Sequence, residues 1–134
     1  AFTETVKFLK KNNVIKHNWI YGAKLIREAN QISKKVGIKD FFYFSGIACS
    51  PFFNCLDSKK NNSLEFRTLF LQEMIKNGVF MPWVAISFRH SKKELSKTIS
   101  AIEKSLFIYK KALQLGSKKF IKGPIVKPVF RKFN

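Results

Sequence analysis

Apolar residues recur every three or four positions over much of the chain, which is the spacing of a helix with one buried face. A first helix is predicted from Phe2, Val6 and Leu9, and the Asn12-Asn13 pair interrupts it. A second, longer helix follows and stops at Gly37, a residue typical of helix ends. Its inward positions are Ile15, Trp19, Gly22, Ile26, Ala29 and Ile32.

Two further helices begin at residues that can cap them. Ser63 precedes a helix that closes at Asn77-Gly78, with Phe66, Leu69, Phe70 and Met74 predicted to face inward. Ser91 and Glu94 form a capping-box pattern before the last helix, which is predicted to end at Gly116. Its apolar positions are Leu95, Ile99, Ile102, Leu106, Tyr109 and Leu113.

Strand patterns separate these helices. The run FFYFSGIACSPFFNC, residues 41–55, is dense in aromatic and β-branched residues and is broken by Gly46 and Pro51, which predicts two strands or one bent strand. Residues 79–81 and 84–88 are short strand candidates, and Pro82 between them forbids one continuous interior ladder.

The order of elements is helix, helix, strands, helix, strands, helix and tail. This order predicts the α+β class, with a small, mostly antiparallel sheet of short strands covered by helices on one face, although parallel crossovers remain open. We expect a domain over residues 1–116 and a basic tail over residues 117–134. The prolines Pro124 and Pro128 predict that the tail runs extended along a surface.

The charge of the chain is strongly positive. The formal net charge is +18 and the isoelectric point is near 10.2, which would attract phosphates without any specific site. Lysines outnumber arginines and are spread along the helices, so the pattern favours a generally basic surface over dedicated recognition of nucleic acid. An autonomous basic module that binds nucleic acid or an acidic protein partner is the alternative interpretation.

The residues that most often carry chemistry are few. Cys49, Cys55, His17 and His90 lack the paired spacing of a zinc site, and a Cys49/His90 nucleophile pair would need a fold that the sequence does not establish. We expect both cysteines to be buried strand residues and His90 to be a structural hydrogen-bonding residue.

The ends and apolar runs of the chain bear on its context. No secretory signal and no apolar run of membrane-spanning length occur in the sequence, which favours a cytoplasmic location. The chain opens without an initiator methionine, on a helical pattern already under way, so we expect it to be an excised piece.

Two segments carry a resemblance to a known family. The segment VKFLKKNNVIKHNWIYGAKLIREANQI, with its G-x-x-L in mid-helix, and the segment FRTLFLQEMIKNGVFMPWVAISFRHSKKELSKTISAIEKSL follow one another in the family's order. Over nearly its whole length the chain resembles the C-terminal small domain of a class III, fold type I pyridoxal-phosphate aminotransferase. The glutamate-1-semialdehyde aminomutase-like members are the most similar.

The resemblance implies a homodimeric enzyme with a small-molecule amino donor and acceptor. In this family, pyridoxal phosphate is bound as a Schiff base to a lysine of the large domain, and the small domain closes over the substrate. No lysine of this chain matches that position. The resemblance therefore implies a fragment that is inactive alone, whose partner is the large domain of the same enzyme.

The resemblance also places a site at Met81-Pro82-Trp83, called the corner below. These three residues would form a substrate-pocket wall; alternatively, Trp83 fills a gap between the sheet and the large domain. Trp83 stands where many relatives have an arginine that binds a substrate carboxylate, and Arg89 is six residues further on. Aminomutase-like or amino-sugar-type substrates are therefore as credible as an amino acid.

The end of the chain, GPIVKPVFRKFN, departs from the shorter ends of the aminomutases and suggests a subgroup of aminotransferases. Phe130 and Phe133 are candidate anchors for this tail. Lys127, Arg131 and Lys132 are either solvated charges or contacts to an acidic surface of the large domain or of a second subunit.

Overall fold

The computed structural model describes residues 1–127, which form four α-helices, a β-hairpin and a short 3-10 helix. Among these residues, no helix is both long and apolar enough to cross a membrane. The expected anchors Phe130 and Phe133, with Arg131 and Lys132, lie outside the described residues. In chain order the elements are α1 (Phe2–Lys11), α2 (Val14–Val36), β1 (Phe42–Ile47), β2 (Ser50–Cys55), α3 (Leu64–Lys76), α4 (Lys92–Leu115) and the 3-10 helix (Ser117–Lys119).

The helix ends lie where the sequence predicts them. Asn13 has a left-handed backbone conformation that separates α1 from α2, and Gly37, with φ of 85°, ends α2. The Ser63 hydroxyl accepts a hydrogen bond from the Phe66 N–H at 3.3 Å and so caps α3. At α4, Ser91 and Glu94 make both hydrogen bonds of the capping box.

The β-hairpin is antiparallel, with Phe42 opposite Cys55 and Ile47 opposite Ser50. Its burial alternates: Phe42, Phe44, Phe53 and Cys55 are buried, whereas Tyr43 and Phe52 on the other face are exposed. The buried face packs against helices α2, α3 and α4. The predicted α+β class is therefore confirmed, and helices cover the sheet on one face.

Polar side chains of α2 satisfy the free edge of β1. The Asn30 amide donates to the Phe44 carbonyl at 3.0 Å and accepts from the Phe44 N–H at 2.7 Å, as a neighbouring strand would. The Ser33 hydroxyl donates to the Phe42 carbonyl at 2.5 Å. These bonds leave fewer unpaired backbone groups on an edge that could otherwise pair with another chain.

The core is centred on aromatic rings beneath the hairpin. The Phe42 ring is fully buried and has its centroid 4.6 Å from that of Phe70 and 5.8 Å from that of Tyr109. The Tyr109 hydroxyl lies 2.7 Å from the Leu56 carbonyl and 3.1 Å from the Phe41 carbonyl, at the base of the hairpin. Burial raises the pKa of Tyr109 far above its usual value, so the phenol remains a donor to these carbonyls.

The second pair of predicted strands is wrong. Within residues 1–127, neither residues 79–81 nor residues 84–88 form a strand. The β-branched and aromatic residues here do give alternating burial from Pro82 to His90, but among residues 1–127 no strand lies beside them to complete a ladder. Pro82 also lacks the N–H that a ladder needs. The segment obtains its alternating burial by packing beside helices and not by pairing with a strand.

The beginning of the basic tail packs along α3. Residues 117–127, called the strap below, follow α4 directly, and residues 121–127 have no regular secondary structure, as predicted for the tail. The Lys122 N–H donates to the Gln72 side-chain carbonyl at 2.8 Å, and the Val126 N–H donates to the Thr68 hydroxyl at 2.9 Å. The strap is thus attached to one helix by specific hydrogen bonds.

Candidate functional site

The corner follows a tight reversal of the chain at the end of α3. Gly78 adopts φ of 74°, a conformation that favours glycine, and its N–H donates to the Ile75 carbonyl at 2.9 Å. The Val79 N–H donates to the Met74 carbonyl at 3.0 Å. This reversal directs the chain back along α3 and fixes the position at which the corner starts.

The corner is anchored from behind. Met81 is buried in the hydrophobic core, and the Pro82 carbonyl accepts a hydrogen bond of 2.7 Å from the Arg67 guanidinium. Arg67 in turn lies 4.5 Å above the centroid of the Phe53 ring, a cation–π arrangement that orients its donors. The corner is therefore tied both to α3 and to the hairpin.

The same segment presents two large aromatic side chains outward. Trp83 is 69% exposed and Phe80, which precedes the corner, is 79% exposed. The structure therefore divides the three predicted wall residues: Met81 points inward, Pro82 is half-buried, and Trp83 faces out. An exposed tryptophan on an anchored backbone offers a flat apolar surface at low conformational cost.

The corner separates two cavities. The first has a volume of about 320 Å³ and lies on the Trp83 side, against α2 and the start of α4. The second has a volume of about 470 Å³ and lies on the Pro82 side, between α3 and the strap. Phe80 and Met81 line both cavities, so this short segment forms the partition between them.

The polar groups of the first cavity come from α2 and from the start of α4. Burial, and secondarily the charge of Glu94, raises the pKa of Tyr21. Hydrogen bonds from the Ser91 hydroxyl and backbone N–H lower the pKa of Glu94 to about 2. His90 accepts at Nδ1 from the Ser87 N–H at 3.3 Å, the structural role expected of it. With these pKa shifts, Tyr21 and Glu94 suit binding better than proton transfer near neutral pH.

The depressed pKa of Glu94 predicts an acid-sensitive start of α4. Because the folded pKa lies below the unfolded value of about 4.3, the ionised carboxylate stabilises the fold above that value, and this contribution is lost as pH falls towards 2. Glu94→Gln keeps an acceptor for the Ser91 N–H but carries no charge. We expect melting temperatures of the native chain and this variant to converge between about pH 4.3 and pH 2. Parallel profiles over that range would contradict the role of Glu94.

An aromatic cluster joins the segment after the corner to the first two helices. The Phe88 ring centroid is 5.1 Å from that of His17 and 6.0 Å from that of Phe8, both in edge-to-face geometry. Tyr21 contacts His17 and His90, with centroids 6.0 Å and 5.5 Å apart. Helix α1, which has no buried residue, is held beside the segment by these rings.

The remaining candidate residues lie apart from the corner. Cys55 is buried in β2 as expected, and burial raises its pKa to about 12, whereas Cys49 is half-buried in the hairpin turn. Cys49, Cys55 and Arg89 do not line either of the two cavities beside the corner. Among residues 1–127, no group of three or more His, Cys, Asp or Glu side chains is arranged to hold a metal ion.

Three residues of α3 that hold this region are not singled out by the pattern of the sequence. Arg67 binds the corner, while Thr68 and Gln72 bind the strap. A signal was available, because Thr68 is a polar residue among the apolar positions of α3, and Gln72 follows it by four residues on the same face.

The lysines beside the corner do not fit a pyridoxal-phosphate site. Lys97 lines the first cavity and is exposed, and Lys76 lines the second and is paired with Glu73. A lysine that forms a covalent bond to a cofactor has to be desolvated and free to lose its proton. Neither Lys76 nor Lys97 therefore meets the requirement for covalent attachment of the cofactor.

Comparisons with protein-family models, with curated proteins and with solved structures give no match to this chain.

Proposed function

We propose that the chain is the C-terminal small domain of a pyridoxal-phosphate-dependent aminotransferase or aminomutase, shapes its substrate pocket, and is inactive alone. The observation that carries the proposal is the corner, which is anchored from behind and presents Trp83 outward. An exposed indole on a fixed backbone is of use to a molecule or domain that packs against it. The proposal assigns that place to the substrate, enclosed between this domain and the large one.

The exposed apolar residues near the N-terminus support a docking role. Helix α1 contributes nothing to the core, and Phe2 on it is 81% exposed. On the first half of α2, Ile15, Trp19 and Ile20 are also exposed, so the prediction that Ile15 and Trp19 face inward is wrong. The N-terminal face below means α1 together with these three residues. Exposed apolar side chains in such number mark an interaction surface. We assign this face to contact with the large domain of the same enzyme or with the second subunit of a homodimer.

Two buried polar atoms beside this face support the same assignment. Nε2 of His17 and Oδ1 of Asn18 are buried and have no hydrogen-bond partner among residues 1–127. An unsatisfied buried polar group costs about 1–3 kcal/mol. Both residues belong to the first turns of α2, and the His17 ring packs against Phe88 of the segment after the corner. A partner that settles against the N-terminal face would compensate this cost by reorienting these side chains or by bringing new ones.

The cofactor and the residues of this chain would contribute differently to the reaction. When bound, pyridoxal phosphate supplies an electron sink for a carbanion at the substrate carbon. The part of this chain would be to exclude water and orient the substrate, with Trp83 and Phe80 as apolar surface and Tyr21 as a neutral hydrogen-bond donor. Neither Arg67 nor Arg89 lines the two cavities, so neither is placed to bind a substrate carboxylate there. An aminomutase-like or amino-sugar-type substrate is therefore as credible as an amino acid.

The proposal is tested in the complete natural chain that contains this sequence. That chain is supplied with pyridoxal phosphate and assayed for amino-group transfer with a panel of small amino donors and acceptors, including amino acids and amino sugars. We expect transfer by the complete chain and none by the 134-residue chain alone. Transfer by neither, although the complete chain is folded, would contradict the proposal.

The wall role of Trp83 has its own test in the active enzyme. Trp83→Ala removes the outward aromatic face, and we expect kcat/KM to fall about tenfold while the affinity for the cofactor is unchanged. Phe107→Ala is the matched control, because Phe107 is an exposed aromatic residue on α4 that lines neither cavity. If the two variants have equal kinetics, Trp83 only fills a gap between the sheet and the large domain.

The alternative, a basic binding module, rests on the net charge of +18. Exposed lysines occur on all four helices and on the strap, including Lys10, Lys16, Lys76, Lys104 and Lys118, which is a dispersed distribution. A nucleic-acid interface concentrates such residues on one face. Tight binding of duplex DNA at physiological salt would support the alternative. Binding at low salt that is lost at physiological salt would indicate only non-specific electrostatic attraction.

A further inference from the structure

Helix α3 holds the corner and the strap through neighbouring residues. Arg67 donates to the Pro82 carbonyl at 2.7 Å, and the next residue, Thr68, accepts from the Val126 N–H at 2.9 Å. One turn later, Gln72 makes two bonds to the strap: its side-chain carbonyl accepts from Lys122 N–H at 2.8 Å, and its amide donates to the Phe120 carbonyl at 3.0 Å. Both segments are thus fixed to the same turns of one helix.

The strap and the corner line one cavity. Gly123, Pro124 and Val126 of the strap line the second cavity together with Met81 and Pro82 of the corner. The remaining lining residues belong mainly to α3 and include Leu71 and Ile75. The cavity is therefore a groove with α3 as its floor, and its sides are the corner and the strap.

The strap is a built element and not a loose end. At its start, the Ser117 hydroxyl donates to the Glu65 carboxylate at 2.6 Å, and Ser117 is buried. Phe120 and Ile121 pack against the hydrophobic core. Beyond them, the strap has no regular secondary structure, so its backbone groups need other hydrogen-bond partners. The side chains of Gln72 and Thr68 supply these partners. Each of these hydrogen bonds is to a side chain of α3, so the strap is held on that helix from Ser117 to Val126.

We infer that the strap positions the corner: it closes the groove beside Met81 and Pro82, and Thr68 and Gln72 are the positioning residues that hold it there. The reasoning is geometrical. The Met81 side chain is the part of the corner that reaches the core, and it lines the groove that the strap closes. Without the strap, one side of that groove would be open to water, and the Met81 side chain would be more exposed to solvent. This inference does not depend on the proposed function, because amide exchange and methionine oxidation are measured without any enzyme activity.

The test uses the double variant Thr68→Val and Gln72→Leu in the full chain that contains residues 1–134. These changes keep side-chain size but remove the partners of the strap backbone. Hydrogen exchange of the Lys122 and Val126 amides reports release of the strap. The rate at which hydrogen peroxide oxidises Met81 reports opening of the groove, and Met74, the other methionine and a fully buried one, is an internal reference.

We expect both strap amides to exchange about tenfold faster and Met81 to be oxidised about tenfold faster, while the Met74 rate is unchanged. Thr68→Ser with native Gln72 keeps the hydroxyl and should restore native rates. Ser105→Ala is the matched control, because the Ser105 hydroxyl donates to the carbonyl four residues earlier, as Thr68 does, but holds no strap. A global loss of stability would speed oxidation of both methionines.

A second variant covers the case in which the double change destabilises α3. Val126→Pro removes the N–H that donates to Thr68 from the strap side and leaves the helix untouched. It is expected to speed oxidation of Met81 and not that of Met74. Released strap amides in the double variant, with an unchanged Met81 rate in both variants, would overturn the inference. Lys122 and Val126 amides that stay protected in the double variant would overturn it as well.

Discussion

Replacing Phe42 by alanine is expected to lower the free energy of unfolding by about 3–5 kcal/mol, the range for a fully buried aromatic ring. Phe42 is the ring on which the hairpin and the helices meet: it is fully buried, and its centroid lies within 6.3 Å of those of four other rings. Its removal leaves a cavity among rigid neighbours that cannot collapse into the space. Urea unfolding of the full chain measures the loss.

The matched control for Phe42 lies on the opposite face of the same hairpin. Phe52→Ala removes the same side chain from a position that is 54% exposed, so we expect a loss of at most about 1 kcal/mol. A similar loss at both positions would mean that the burial alternation of the hairpin does not hold. A loss below about 1 kcal/mol for Phe42→Ala would contradict its place at the centre of the core.

Replacing Gly22 by alanine is expected to destabilise the fold by about 1–3 kcal/mol, although alanine is the better helix former. A Cβ atom on Gly22 would overlap the Ala48 carbonyl oxygen in the hairpin turn and would lie 2.6 Å from Ile86 Cδ1. The backbone of the turn would have to move, and so would the segment after the corner. Because Ile86 lines the first cavity, the same change should alter that cavity.

Gly123→Ala is the control for this prediction, because a Cβ atom on Gly123 meets no other atom within 4 Å. We expect its stability to lie within about 0.5 kcal/mol of that of the native chain. Urea unfolding of the two variants side by side separates the close approach at Gly22 from the general effect of replacing a glycine. A Gly22→Ala chain more stable than the native one would show that the close approach is absent.

The sequence was sufficient for the helices because their signals are local. Capping residues such as Ser63 and Ser91 and the stop at Gly37 act within one turn of the chain, and the structure places helix ends at each of them. The sequence also located the strand region at residues 41–55, but it left open two strands or one bent strand. The structure shows a two-stranded hairpin in which Gly46 lies opposite Pro51 beside the turn.

The missed features depend on partners that are distant along the chain. Residues 84–88 have strand propensity, but whether they pair depends on a neighbouring strand, and a pattern within the segment contains no such information. The bond from Arg67 to Pro82 spans 15 positions, and the bond from Val126 to Thr68 spans 58. The corner could thus be located from the sequence, whereas its anchoring and the two cavities it separates required the structure.

Reductive trapping tests most directly the proposal that this chain is the small domain of a pyridoxal-phosphate enzyme. The complete natural chain that contains this sequence is incubated with pyridoxal phosphate and reduced with borohydride, and peptide mass spectrometry locates any pyridoxyl-lysine. The 134-residue chain is treated in parallel as the control. We expect one specific modified lysine in the complete chain, outside residues 1–134, and none in the control. No specific adduct, or an adduct on a lysine within residues 1–134, would contradict it.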